Sequence, residues 1–140
     1  LLDSFARLLL LRYNGRIKFN IYADAQIEDA LIPSMIIQPL LENAVMHGVA
    51  PKMRDADFDP IIDISIIKEN NNLKISVYDN GVGMDTGTAD NILSDNTEKS
   101  GVGMANVNER IKLICGEEYG ISVNSKYGEY TEIEILLPVE

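Results

Sequence analysis

Two glycine pairs and one asparagine stand out among the residues able to do chemistry. Asp79-Asn80-Gly81-Val82-Gly83-Met84 carries the first pair, Gly101-Val102-Gly103-Met104 the second, and both follow Glu42-Asn43-Ala44-Val45-Met46-His47-Gly48. Glycines so spaced let backbone N–H groups approach a ligand that a Cβ would exclude, and a helix that starts just after them turns its positive end toward anions. That chemistry suits a nucleoside triphosphate. An Asn43 amide oxygen is a hard ligand for Mg2+, and being neutral it leaves the metal's charge for the phosphates. The plainer role for Asn43 is a hydrogen bond to a neighbouring loop.

The other candidates divide by position. Asp79 closes an alternating strand just before Gly81 and Gly83, where its carboxylate can accept from the exocyclic amine of adenine and reject the carbonyl of guanine. Asp-Asn-Gly is also strong turn chemistry on its own. His47, the single histidine, could titrate near neutrality and is assigned a supporting role at the rim of the site. Glu42 either positions the metal or a nucleophile or is simply solvated. Gly101 and Gly103 suit phosphate contact, Met84 and Met104 complete the nucleotide motifs, and Asn106 and Arg110 share a helix face where they meet phosphate or each other. The pattern is not a Rossmann fingerprint, because no third glycine stands at Asn106, and it is neither a Walker A loop nor a protein kinase glycine loop.

These residues need elements to hold them. Period-two alternation places Ile17, Phe19 and Ile21 inward with Arg16, Lys18 and Asn20 outward. It recurs at Ile62, Ile64 and Ile66, at Leu73, Ile75 and Val77, at Ile121 and Val123, and at Ile133, Ile135 and Leu137. The Asn70-Asn71-Asn72 turn makes the second and third runs an antiparallel hairpin. One helix follows Pro33 with a stripe of Ile36, Ile37, Leu40, Leu41, Ala44 and Val45, and Pro39 bends it or restarts it one turn later. Helical winding at 3.6 residues per turn would set Asn43, Met46 and His47 on a polar face away from that stripe. A second helix runs from about Val102 to Ile114, buries Met104, Val107, Ile111 and Ile114, and stops at Gly116. The expected fold is a two-layer α/β sandwich, with a mixed, mostly antiparallel sheet of about five strands under about three helices. Val49 to Pro60 reads as a connecting loop and Asp85 to Ser100 as a lid between the glycine pairs.

Composition sets further bounds. With 140 residues, 46% of them apolar, the chain can build one core. No apolar run approaches the roughly 20 residues of a membrane helix. Cys115 alone excludes an internal disulfide and fits a cytosolic setting. A net charge of −10 argues against nucleic acid and makes a divalent cation the natural means of holding an anionic nucleotide. Residues 1–13 read as the tail of a helix entered partway along, and 14–140 as one domain with its lid at about 85–100.

The order of motifs resembles the ATP-binding domain shared by sensor histidine kinases, DNA gyrase, the Hsp90 chaperones and the MutL proteins. Ile32-Pro33, Gln38-Pro39-Leu40-Leu41-Glu42-Asn43-Ala44, His47-Gly48 and Asn106-x-x-x-Arg110 are similar to the LytS-type sensor histidine kinases in particular. The resemblance implies ATP held under a mobile lid and transfer of its γ-phosphate to a histidine on a separate dimerisation domain, for relay to a response regulator. It implies that Asn43 binds Mg2+, that Asp79 meets adenine and that Gly81, Gly83, Gly101 and Gly103 form the nucleotide boxes. It also implies a cytoplasmic domain whose parent is attached to the bacterial plasma membrane. Met46 departs from the Lys of many relatives. Tyr130 departs from a glycine-rich turn that is remote from the boxes in sequence, so a local structural effect is expected there.

Two other functions compete. ATP hydrolysis or serine phosphorylation in the same superfamily relies on a glutamate four residues before the asparagine, where this chain has Pro39, leaving Glu42 as the nearby substitute. A non-catalytic nucleotide-sensing module is the other alternative, supported by Met46.

Overall fold

The alternating segments pair into one sheet. The structure, a computed structural model, describes residues 15–24, 34–93 and 104–138, and the backbone alone for 34–36 and 90. Strands β1 (Lys18–Ala23), β2 (Ile61–Glu69), β3 (Asn72–Asp79), β4 (Gly120–Lys126) and β5 (Tyr130–Pro138) stand in the order β1-β2-β3-β5-β4. β1 runs parallel to β2 and the remaining pairs are antiparallel. Three α-helices, α1 (Ser34–Glu42), α2 (Thr86–Asn91) and α3 (Met104–Cys115), complete the expected two-layer α/β sandwich among the described residues.

Local chemistry explains the hairpin between β2 and β3. Asn70 and Asn71 have φ of 53° and 64°, left-handed values that asparagine tolerates and that a two-residue primed turn requires. Asn72 already pairs with Glu69 as the first residue of β3.

Register aligns the inward side chains in rows across the sheet. One row is Ala23, Ile66, Ile75, Ile135 and Ile121, and the next is Ile21, Ile64, Val77, Ile133 and Val123. Most of these side chains are buried in one core with those of α1 and α3. Ile21 departs from the expected inward phase: it is 41% exposed, and Ala23 in the row beside it is exposed too, because β1 is an edge strand with a sheet neighbour on one side only. The following row, Phe19, Ile62, Asp79, Thr131 and Ser125, turns polar from β3 onward.

Three other expectations need correction. Val49 to Pro60 is not all loop, since Ala50–Arg54 forms a 3-10 turn with Pro51 near its start and buries Met53. The start of the expected lid is anchored: the Asp85 carboxylate caps α2 by accepting from the Thr88 N–H at 2.8 Å, and Ile92 is buried in the core. The rest of the lid, 94–100, lies outside the described residues. Ile114 is 77% exposed, because the inner stripe of α3 steps through Met104, Asn108 and Ile111 to Cys115, which takes the last inward position. Gly116 ends α3 as expected, with φ of +120° and its N–H on the Lys112 carbonyl.

Candidate functional site

Folding buries few polar side chains without reason, since each loses water that only a hydrogen bond or a ligand replaces. Among the described residues, the buried polar or charged ones are Asn43, Asp79 and Thr131, each no more than 2% exposed. Asp79 and Thr131 face each other across β3 and β5 in the polar row. Each holds the inward phase of a strand whose other inward residues are aliphatic.

Asn43 reaches the same side through an unusual helix. One turn after Pro39 the winding widens, and Asn43–Val49 is a π-helix that ends with the Ala50 N–H on the Val45 carbonyl. A π-helix bonds residues five apart and so turns its side chains differently from an α-helix, and Asn43, Ala44, Gly48 and Val49 are all buried. This corrects the expected polar face: Met46 and His47 are exposed, whereas Asn43 turns inward. The Asn43 amide makes no hydrogen bond among the described residues, yet no buried side-chain nitrogen or oxygen there lacks a partner. Its polar end therefore keeps a small exposed area.

Gly48 sits directly on Asp79. A Cβ at Gly48 would lie 2.6 Å from Oδ1, 2.7 Å from Cγ and 2.8 Å from Oδ2 of that carboxyl group. Oδ1 accepts from the Gly81 N–H at 2.9 Å, and a Cβ at Gly81 would in turn strike the Gly48 backbone. Burial raises the Asp79 pKa to about 7, outweighing the lowering effect of the Gly81 N–H. The expectation that Gly81 and Gly83 open space for a ligand changes accordingly. Protein backbone fills the space beside both, Gly48 at Gly81 and the Lys126 carbonyl at Gly83, whose φ is +68°.

The turn between β4 and β5, remote in sequence, is thus adjacent in space. The Gly128 N–H donates to the Val82 carbonyl, and Lys52 Nζ donates to the Gly128 carbonyl at 3.1 Å. Tyr130 stacks on Tyr78 with ring centroids 5.9 Å apart. The effect of that departure from the glycine-rich turn therefore extends to the glycine box itself.

Ser125 fixes the proton directions at the end of the polar row. Its hydroxyl donates to the Tyr130 carbonyl at 2.7 Å and accepts from the Met84 N–H at 2.8 Å. With its one proton so placed, Ser125 must accept from Thr131 Oγ1, 2.8 Å away. Thr131 has then donated its own proton, so toward a ligand it can only accept. A carboxyl group and a hydroxyl acceptor in one buried row match a ligand edge that carries N–H donors.

The remaining sequence candidates take plainer places. Glu42 is half-buried and accepts from Gln38 Nε2 at 2.9 Å. Met84 lies half-buried at the Ser125 bond, Met104 is fully buried in the core, and Asn106 and Arg110 are exposed on α3. Asn80 holds the strand end, accepting from the Ile61 N–H at 2.8 Å and donating to the Asp59 carbonyl at 2.9 Å. Gly101 and Gly103 lie outside the described residues. Residues missed from the sequence are Gly48 as the cover of Asp79, and Thr131 with Ser125; the signal for Thr131 was a polar residue at an inward strand position. No group of three or more His, Cys, Asp or Glu is placed to hold a metal among the described residues. A lone amide donor fits Mg2+ that arrives on phosphates and keeps several waters, not an all-protein cage.

Comparison with known proteins identifies the family and the fold. A family model described as histidine kinase-, DNA gyrase B- and HSP90-like ATPase matches residues 28–140. The chain is 35% identical to the sensor histidine kinase YesM of Bacillus subtilis over 91% of its own length and 20% of that protein. It is 34% identical to the sensor histidine kinase/phosphatase LytS of Staphylococcus aureus, over 81% of its own length and 20% of that protein. The chain thus spans about a fifth of the length of these relatives. The blue-light activated histidine kinase EL346 of Erythrobacter litoralis shares the fold, with a TM-score of 0.69 at 17% identity over 99% of this chain and 40% of that one. Its histidine kinase domain gives 0.63 at 17% identity over 94% and 56%.

Proposed function

The chain belongs to the histidine kinase-, DNA gyrase B- and HSP90-like ATPase family, and on that premise we propose that it is the catalytic ATP-binding domain of a LytS-type sensor histidine kinase. The observation that carries the reading is the buried polar set of Asn43, Asp79 and Thr131. Asp79 Oδ2 and Thr131 Oγ1 receive the exocyclic amine of adenine, and Asn43 offers its amide oxygen to Mg2+ on the phosphates. When bound, that cation neutralises phosphate charge that a chain of net charge −10 could not itself offset. Gly101, Gly103 and Asn106 are proposed phosphate contacts at the start of α3. His47 borders the site as part of its wall, and Glu42, bonded to Gln38, supports the helix beside Asn43.

The γ-phosphate then passes to a histidine on a separate dimerisation domain and onward to a response regulator. Residues 1–13 are proposed as the end of the helix that leads from that domain, and 94–100 as part of the lid. Among the described residues no helix is long and apolar enough to cross a membrane. The proposed parent is attached to the plasma membrane with this domain on its cytoplasmic side.

In-line transfer needs a nucleophile free to approach the γ-phosphate opposite the leaving oxygen, a freedom that His47 on the helix wall lacks. Incubated with Mg-ATP and a dimeric helical domain bearing the acceptor histidine, the chain is expected to place acid-labile phosphate on that domain and none on itself. Intact-mass measurement reads both. Phosphate on His47 would reject this division of labour, and steady hydrolysis without transfer would favour the ATPase reading. A second expectation concerns Met46, which is 40% exposed on the π-helix. Met46→Lys brings a cation toward the phosphates and should tighten ATP binding several-fold, worth about 1 kcal/mol. Calorimetry showing unchanged or weaker binding would place residue 46 away from the phosphates.

A further inference from the structure

The contact between Gly48 and Asp79 does more than fill space. A methyl group at Gly48 would lie within 2.8 Å of all three atoms of the Asp79 carboxyl group, so the bare Cα covers one face of that group. The coverage removes water and leaves the carboxyl little room to turn about its own bond. The orientation that remains has Oδ1 on the Gly81 N–H. Gly81 is itself locked in place, since a Cβ there would strike the Gly48 carbonyl group, and the Val82 N–H donates to that carbonyl at 3.1 Å. Helix, strand end and glycine box thus meet at one point.

We infer that Gly48 is a positioning residue for base recognition: its missing side chain holds the Asp79 carboxyl in the one orientation that presents Oδ2 to the adenine amine. This rests on the assignment of Asp79 to adenine. Gly48 and Gly81 then act on adenine selectivity through Asp79, beside Thr131, while phosphate and metal binding belong elsewhere in the site. An alanine at Gly48 must push the carboxyl aside, because ordinary contact begins near 3.4 Å and the side chain is buried.

Binding of ATP, GTP and inorganic triphosphate to Gly48→Ala, Asp79→Ala and the double variant, each in Mg2+ buffer, tests the inference. Gly48→Ala should lose roughly tenfold or more in ATP affinity while GTP and triphosphate affinities hold, so that the ATP preference collapses. In the Asp79→Ala background the same substitution should change ATP affinity by less than about twofold, because the group on which it acts is gone. Additive losses, or a preserved ATP preference in Gly48→Ala, would overturn the positioning role even with Asp79 confirmed as the adenine partner. A preserved preference in Asp79→Ala would instead remove the base assignment, and this inference with it. If Gly48→Ala fails to fold, the double variant decides: removing the carboxyl should restore a cooperative melting transition, and its failure to do so means that the space beside Gly48 is not kept for Asp79.

Discussion

Asn43→Ala should abolish the strengthening of ATP binding by Mg2+ and lower phosphotransfer by roughly a hundredfold or more, the several kcal/mol that a metal ligand contributes to charge stabilisation. The fold should survive. Asn43 is 2% exposed and its amide has no hydrogen-bond partner among the described residues, so truncation breaks no bond that those residues make. Alanine also suits a helix better. Equal or higher melting temperature together with lost Mg2+ dependence is the expected signature. A stabilising hydrogen-bond role predicts the reverse, a lower melting temperature with Mg2+ dependence intact, and calorimetry with and without the metal separates them.

What the sequence made legible follows from which features are local. The hairpin at Asn70 and Asn71, the alternating strands and the stop at Gly116 rest on neighbours within a few positions. What it hid depends on winding and register. The π-helix rotates Asn43 off the face shared by Met46 and His47, and 3.6-residue periodicity cannot anticipate a change to i→i+5 bonding. Gly81 and Gly83 read as ligand-facing because nothing local shows that Gly48, 33 positions before Gly81, and Lys126, 43 positions after Gly83, fill their space. Thr131 stands opposite Asp79 only once β5 pairs with β3 in a specific register. Ile21 and Ile114 follow the periodicity but sit where the sheet or the helical stripe has run out.

The second large effect has opposite signs for the empty and the occupied domain. Asp79 titrates near 7 in the folded chain, because burial disfavours its charge, against an ordinary value of 3.8. A folded-state pKa raised for an acid means that the native state binds more protons than the unfolded chain between those values. Stability of the free domain should therefore fall as pH rises from about 4 to about 7, by up to about 4 kcal/mol, and level off above. Asp79→Asn keeps the shape and the acceptor for the Gly81 N–H but has no charge to bury. It should flatten that slope and raise stability above pH 7 by about 1–4 kcal/mol, read from urea unfolding at pH 5 and pH 8. Binding should move the other way. An adenine amine donates to the carboxylate, so in the unmodified chain ATP affinity should rise with pH toward a plateau above 7, whereas GTP affinity should lack that component. Asp79→Asn should lose about 1–3 kcal/mol of ATP affinity and the pH dependence with it. A variant that is no more stable at pH 8, or that still prefers ATP to GTP, would show that the buried carboxyl is not held against its own stability for the sake of the base.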